Sequence, residues 1–197
     1  MEFSAVLLAG GKSSRMGTDK ARLEIGGLPL WRWQLETLRE SGAGEVFVSG
    51  RRDDVFSEVE VLEDDVPDAG PLTGLIVSLR RARFPWLLVL AVDLPGMTAE
   101  YLRRLVALAQ PGVGVVPKCG EFFEPVAALY PGEALASAEH CRSEGELSLQ
   151  ILARRLVNAG LVRSLDVAAD EAGLFANVNT PGDWARQLDC KSPRKSY

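Results

Sequence analysis

Short apolar runs alternate with helix-spaced apolar positions along most of the chain. Phe3-Ser4-Ala5-Val6-Leu7-Leu8-Ala9 and Trp86 to Val92 are near-continuous apolar runs, the mark of strands covered on both faces. Glu45-Val46-Phe47-Val48-Ser49 and Val59-Glu60-Val61-Leu62 predict two more strands, the second by apolar/acidic alternation. Helices are predicted over Leu30 to Glu40, Leu72 to Arg83 and Thr98 to Gln110. In the last of these, Leu102, Leu105, Val106 and Leu108-Ala109 recur at helical spacing.

The second half is less regular. Strands are expected at Val113 to Val116 and Val126 to Tyr130, joined by a polar turn at Cys119-Gly120-Glu121, with a last strand at Leu161 to Val167. Helices are expected at Gly132 to Cys141 and Ser148 to Val157. Thr180-Pro181-Gly182-Asp183 predicts a further helix start, with Thr180 as cap and Pro181 at the first helical position. Such alternation implies an α/β fold: a doubly wound, mostly parallel sheet with helices on both faces. One domain spanning residues 1–190 is expected, with residues 191–197 a polar tail. In such sheets ligands bind at the carboxyl ends of the strands, near the point where strand order reverses.

Composition narrows the classes. The chain has 197 residues with 22 basic and 27 acidic side chains, and a net charge of −5 argues against a nucleic-acid partner, which needs a basic face. A chain of this length buries roughly 70% of its unfolded surface and needs no disulfide or metal staple. Cys119, Cys141 and Cys190 are an odd set without C-x-x-C spacing, so they are expected as reduced, incidental thiols. No signal peptide is visible, and the longest apolar stretch, Pro85 to Val92, is far short of the ~20 residues that span a bilayer. A cytoplasmic protein without membrane contact is expected.

The first strand runs into Leu8-Ala9-Gly10-Gly11-Lys12-Ser13-Ser14-Arg15-Met16-Gly17-Thr18-Asp19-Lys20. Glycines that let backbone amides turn outward, hydroxyls, Arg15 and Lys20 together predict a polyphosphate cradle. It is neither a Walker A loop, whose upstream glycine would fall on Val6, nor a dinucleotide fingerprint, because Gly10, Gly11 and Gly17 are wrongly spaced. Asp93 follows the Trp86 strand directly. Taken alone it reads equally as a turn former before Pro95 or as a ligand for a hard cation. The neighbouring phosphate loop favours the cation, with Mg²⁺ the expected cofactor.

Eight carboxylates and no basic residue lie between Asp53 and Asp68, mostly a solvated face. Asp64 stands apart, at a strand end before the Gly70-Pro71-Leu72-Thr73-Gly74 turn, where it could accept from a nucleobase while the glycines admit a flat base. His140, the sole histidine, is expected on the surface. A phosphate monoester nucleophile needs no general base, because it is already largely ionised at neutral pH.

These residues resemble the molybdenum cofactor guanylyltransferases, within the nucleotidyltransferase class. The family pattern L-A-G-G-x-S/A-x-R-M-G-x-D-K is matched by Leu8 to Lys20, G-P-L-x-G by Gly70 to Gly74, D-x-P by Asp93-Leu94-Pro95, and N-V-N-T-P by Asn177-Val178-Asn179-Thr180-Pro181. The resemblance implies transfer of GMP from GTP to molybdopterin carrying molybdenum, with release of pyrophosphate. It implies that Leu8, Ala9, Gly10 and Gly11 contact the nucleotide with Gly70 and Gly74, Lys20 the phosphates, Asp64 the guanine side and Asp93 the Mg²⁺. Arg15 would act with Lys20 and Asp93 in the transfer. Asn177 and Asn179 would lie at the pterin pocket, or else form an Asn-rich turn before a capped helix. Transient contact with cofactor-delivering or cofactor-receiving proteins would follow.

Two departures stand out: Val48-Ser49-Gly50-Arg51 where some members carry Asn-x-Asn-Arg, and Glu124-Pro125 where others have His-Pro. Alternatives are a cytidylyltransferase acting on the same pterin, a sugar-1-phosphate nucleotidyltransferase, and a non-catalytic GTP- or cofactor-binding module. Against the first, such enzymes read L-A-A-G in the opening loop and lack G-P-L-x-G.

Overall fold

The computed structural model describes residues 1–10, 23–25, 27–50, 56, 58–63, 70–178 and 183. In chain order its elements are β1 (Ser4–Leu8), β2 (Glu24–Ile25), β3 (Leu28–Pro29), α1 (Leu30–Glu40), β4 (Glu45–Ser49), β5 (Glu60–Leu62), α2 (Pro71–Arg81), β6 (Trp86–Ala91) and α3 (Ala99–Leu108). There follow β7 (Gly114–Cys119), β8 (Phe122–Phe123), β9 (Ala127–Pro131), α4 (Ala134–Ser143), α5 (Leu149–Asn158), β10 (Val162–Asp166) and a 3₁₀ turn at Ala172–Phe175. The expected helix cap at Thr180 and the polar tail lie outside the described residues.

The main sheet runs β10-β7-β9-β6-β1-β4-β5, with β8 added to β7. β5, β4, β1 and β6 are mutually parallel, β7 and β10 pair in parallel, and β9 runs antiparallel between β6 and β7. This is the mostly parallel α/β sheet that the pattern implies, with β9 reversed within it and the short β8 reversed at its side. The reversal of β9 follows from chain length. Only the short β8 and its turn separate β7 from β9, too little for the crossover of a dozen or more residues that a parallel neighbour requires.

The apolar runs become strands because both faces of the sheet are covered. In β1, Ala5 and Leu7 point into the layer formed with Leu30, Trp31 and Leu35 of α1 and with Leu102 and Leu105 of α3. Val6 and Leu8 point into the opposite layer with Leu72, Leu75 and Ile76 of α2 and with Leu152 and Leu156 of α5. Each fully buried valine, leucine or isoleucine among them contributes about 1.5–3 kcal/mol.

Helix starts follow local chemistry. Thr98 caps α3, its hydroxyl accepting from the Tyr101 amide at 3.2 Å, and Ser148 caps α5 through the Ile151 amide at 3.4 Å. The first strands lead outward from β1 to β4 and β5, and the chain then returns to place β6 on the other side of β1. The strand order therefore reverses between β1 and β6.

Three differences from the sequence pattern matter for the site. β7 extends to Cys119, because Lys118 and Cys119 pair with Phe123 and Phe122, which moves the turn to Gly120-Glu121. The β2–β3 hairpin is too short to leave a periodic signal. The 3₁₀ turn belongs to a strap, residues 167–178, that folds back across the sheet after β10.

Candidate functional site

The strands on either side of the reversal end level with one another. Leu8 stands opposite both Ser49 of β4 and Ala91 of β6. Beyond them the backbones stay tied: the Ala9 amide donates to the Ser49 carbonyl at 2.9 Å, and the Val92 amide to the Leu8 carbonyl at 3.0 Å. The opening of the glycine-rich loop and the turn bearing Asp93 are thus held side by side. Leu8 is buried, Ala9 partly so, and Gly10 is exposed where the chain leaves the sheet.

α2 presses on this exit. It begins without a side-chain cap at Gly70, whose φ of 80° suits glycine, and Pro71 occupies its first turn. Gly74 is buried one turn on. A methyl there would lie 2.5 Å from the Ser49 hydroxyl and 3.2 Å from Leu8 Cδ2, so glycine lets the helix approach the β1–β4 exit closely. Gly50 serves a similar approach on the other side, its added methyl lying 3.3 Å from the Gly10 nitrogen. The residues at Ser49-Gly50, noted in the sequence only as a departure, therefore shape the wall beside Ala9 and Gly10.

Asp93 is half-buried in the turn after β6. Its frame is rigid. The buried Gln34 of α1 donates to the Leu94 carbonyl at 2.5 Å, and the Met97 amide reaches the same carbonyl at 3.0 Å. From the strap, the Val178 amide donates to the Asp93 carbonyl at 3.0 Å, which brings the exposed Asn177 beside Asp93. Among the described residues no group of three or more His, Cys, Asp or Glu side chains could enclose a metal ion. A single half-buried carboxylate at a strand exit suits a cation that takes most of its remaining oxygens from substrate phosphates and water, as Mg²⁺ does.

The strap is anchored at four further points. The Val167 amide donates to the Lys118 carbonyl at 3.0 Å, and Glu171 pairs with Arg104 of α3 at 2.5 Å. Phe175 packs edge-on against Tyr101 with ring centroids 5.3 Å apart. At Gly96 an added methyl would stand 2.6 Å from the Gly173 carbonyl oxygen, so the strap crosses directly over that turn. A glycine following D-L-P hints at a close approach; the strap itself carries no periodic signal.

Beyond Asp93 the edge becomes acidic. The half-buried carboxyl of Glu124 is pushed up by burial, partly offset by a hydrogen bond from the Cys119 thiol. Burial, and then Glu124, push the Cys119 thiol up to about 11, so at neutral pH it is a thiol and not a thiolate. Tyr101 is 3% exposed, and burial followed by the charge of Glu171 raises its phenol to about 12. Among the described residues its hydroxyl has no hydrogen-bond partner, nor has one carboxylate oxygen of Glu171.

Of the residues singled out in the sequence, Leu8, Ala9, Gly10, Gly70, Gly74, Asp93 and Asn177 come together along the carboxyl edge of the sheet. Gly11, Arg15, Lys20, Asp64 and Asn179 lie outside the described residues. His140 is exposed on α4, with its Nε2 3.5 Å from Glu144, while Cys141 is wholly buried. Among the described residues no helix is long and apolar enough to cross a membrane.

Residues 5–163 match the family model described as the MobA-like NTP transferase domain. A relative from Opitutus terrae named probable molybdenum cofactor guanylyltransferase is 38% identical over 190 residues, covering 94% of each chain. The molybdenum cofactor guanylyltransferase of Xanthomonas euvesicatoria is 35% identical over 189 residues, again covering 94% of each. Among solved structures, the molybdopterin-guanine dinucleotide biosynthesis protein A of Archaeoglobus fulgidus superposes with a TM-score of 0.76 at 24% identity. It covers 95% of this chain and 97% of that one.

Proposed function

The chain belongs to the MobA-like NTP transferase family and is a nucleotidyltransferase, and from that premise we propose that it transfers GMP from GTP to molybdopterin carrying molybdenum. The observation that carries this reading is the bond from the Val92 amide to the Leu8 carbonyl. It sets the exit toward the phosphate loop beside Asp93 at the strand-order reversal, where such sheets bind ligands.

In the proposed reaction an oxygen of the acceptor's terminal phosphate attacks the α-phosphorus of GTP in line. The new P–O bond forms as the bond from the α-phosphorus to the β-bridging oxygen breaks, and its electron pair departs with pyrophosphate. The phosphate oxygen is already ionised, so the protein's work is positioning and charge compensation. Backbone groups at Leu8, Ala9, Gly10 and Gly11 would orient the nucleotide, and Lys20 with Arg15 would compensate the charge that grows as pyrophosphate leaves. Asp93 would hold Mg²⁺, which supplies Lewis-acid polarisation of the phosphoryl oxygens when bound. Asn177 and Asn179 would face the acceptor, and Asp64 the guanine.

Guanine presents a ring N–H and an exocyclic amine as adjacent donors. An acceptor-lined site leaves groups unpaired with another base, each costing about 1–3 kcal/mol. A chain acting on GTP in this way works in the cytoplasm. The test is pyrophosphate release from labelled GTP, with and without molybdopterin, compared with CTP. Turnover that depends on molybdopterin and prefers GTP by at least ~100-fold in kcat/KM is the expected result. Equal turnover of CTP would replace the reading with a cytidylyltransferase, and turnover on a sugar 1-phosphate alone would exclude the pterin acceptor.

A further inference from the structure

Glu124 sits where the sheet's carboxyl edge passes from Asp93 toward β7. Its segment is fixed on every side: its amide donates to the Pro117 carbonyl at 2.8 Å and its carbonyl accepts from Ala127 at 3.1 Å. The hydroxyl of the fully buried Tyr130 donates to the Pro125 carbonyl at 2.7 Å, and the Ala91 amide to the Val126 carbonyl at 2.8 Å. That last bond joins the segment to the end of β6, two residues before Asp93. Glu124 is thus held rigidly on the side of Asp93 away from the nucleotide loop, next to the strap that carries Asn177.

Its surroundings leave it poorly satisfied. Among the described residues no cation pairs with Glu124. Arg104 is engaged by Glu171, and Lys118 lies 4.0 Å from Glu121. The Cys119 thiol, a weak donor, bonds to the Glu124 carboxylate. Within the same electrostatic neighbourhood lies the buried Tyr101 hydroxyl, which has no partner among the described residues. A half-buried carboxylate with one weak donor costs stability unless a ligand supplies better ones.

We propose that Glu124 is a specificity residue for the acceptor, its two carboxylate oxygens accepting the ring N–H and the 2-amino group of the pterin. This rests on the acceptor assigned above. The carboxylate repels phosphate, so this wall takes the uncharged ring end of the acceptor and leaves the phosphate to the Asp93 side. A 2-amino-4-oxo-pyrimidine edge offers two parallel N–H donors, the arrangement that a carboxylate binds with both oxygens.

The test fills the guanine site with a non-hydrolysable GTP analogue, because a pterin mimics guanine. A simple 6-substituted pterin and the matching lumazine, with oxygen in place of the 2-amino group, are then titrated by fluorescence. The wild-type chain should bind the pterin at least roughly tenfold more tightly than the lumazine, since losing a donor strands an acceptor. In Glu124→Gln the two should differ by less than about threefold, with affinity for the GTP analogue unchanged. In turnover, the variant should raise KM for molybdopterin while leaving KM for GTP in place.

Equal binding of both compounds to the wild-type chain, no detectable pterin binding, or an undiminished preference in Glu124→Gln would overturn the proposal. If Glu124→Gln loses the GTP analogue, Glu124→Asp is read in its place and must weaken pterin binding. Failure of the wild-type chain to transfer GMP to molybdopterin would instead remove the acceptor reading. The ring-binding comparison needs no turnover and decides Glu124 separately.

Discussion

Glu45 and Glu124 stand at opposite edges of one sheet, and their environments push their carboxyl groups in opposite directions. At the amino edge, burial alone would raise Glu45. The Arg83 amide at 2.8 Å, the Ser4 hydroxyl at 2.5 Å and the charges of Arg83 and Arg81 more than offset it and hold the group low. At the carboxyl edge burial dominates at Glu124, where Cys119 is a poor counterweight. One acid has its partners within the fold. The other shares its neighbourhood with the buried Tyr101 hydroxyl, which has no hydrogen-bond partner among the described residues. The same sheet therefore has an edge whose acid is compensated within the fold and an edge whose half-buried acid has only a weak donor beside it.

The largest expected effect lies at the carboxyl edge. Asp93→Asn should lower GMP transfer by about 10³-fold or more while shifting the unfolding midpoint by only a few degrees, if the carboxylate serves the proposed cation and not the core. Near-normal turnover at limiting Mg²⁺ would return Asp93 to a turn former. Lys20→Ala should cost on the order of 10²-fold in kcat with a smaller change in KM for GTP, if its ammonium compensates charge that grows only as pyrophosphate leaves. Steady-state kinetics separate this from simple loss of binding.

Gly96→Ala probes the join between strap and Asp93. The methyl would meet the Gly173 carbonyl oxygen at 2.6 Å and Leu174 Cα at 3.2 Å, so one backbone must move. A loss of about 1–3 kcal/mol in unfolding free energy is expected. A several-fold rise in KM for molybdopterin should accompany it, with KM for GTP unchanged. Equal increases in both would mean that the strap supports the whole edge and not the acceptor side.

The smallest effect belongs to the amino edge. Glu45→Gln should lower stability by about 1–2 kcal/mol at neutral pH with activity intact. Because the folded group titrates below its unfolded value, its contribution is present above the unfolded pKa. It fades as pH falls through the lowered folded value, so the wild-type and variant unfolding curves should converge in acid. A constant gap down to low pH would show that packing, not charge, makes the difference.

Much of this arrangement was legible in the chain itself. Apolar runs such as Trp86 to Ala91 have no polar face to show to water, so they had to become strands covered on both sides. The order of strands and helices then dictated crossovers of one hand, and with them an edge where the glycine-rich loop and Asp93 emerge. Resemblance of four motifs to the molybdenum cofactor guanylyltransferases supplied the nucleotidyltransferase class. The role of Gly74 was less legible, because a glycine reads alike whether it admits a base or lets a helix press on Leu8 and Ser49.

Local sequence determined the strands, the helix caps at Thr98 and Ser148, and the residues that leave β1 and β6. Those outcomes depend on neighbours a few positions apart, through pleat, helical turn and capping bonds. Only the tertiary structure decided that the Val178 amide would reach the Asp93 carbonyl, that the strap would cross Gly96, and that Glu124 would be half-buried beside Cys119 and Tyr101. These contacts join residues from about 5 to 85 positions apart, mostly in segments without periodicity. Their burial, and therefore their charge behaviour, arises from which surfaces the packed sheet leaves open, a property that no stretch of the chain carries alone.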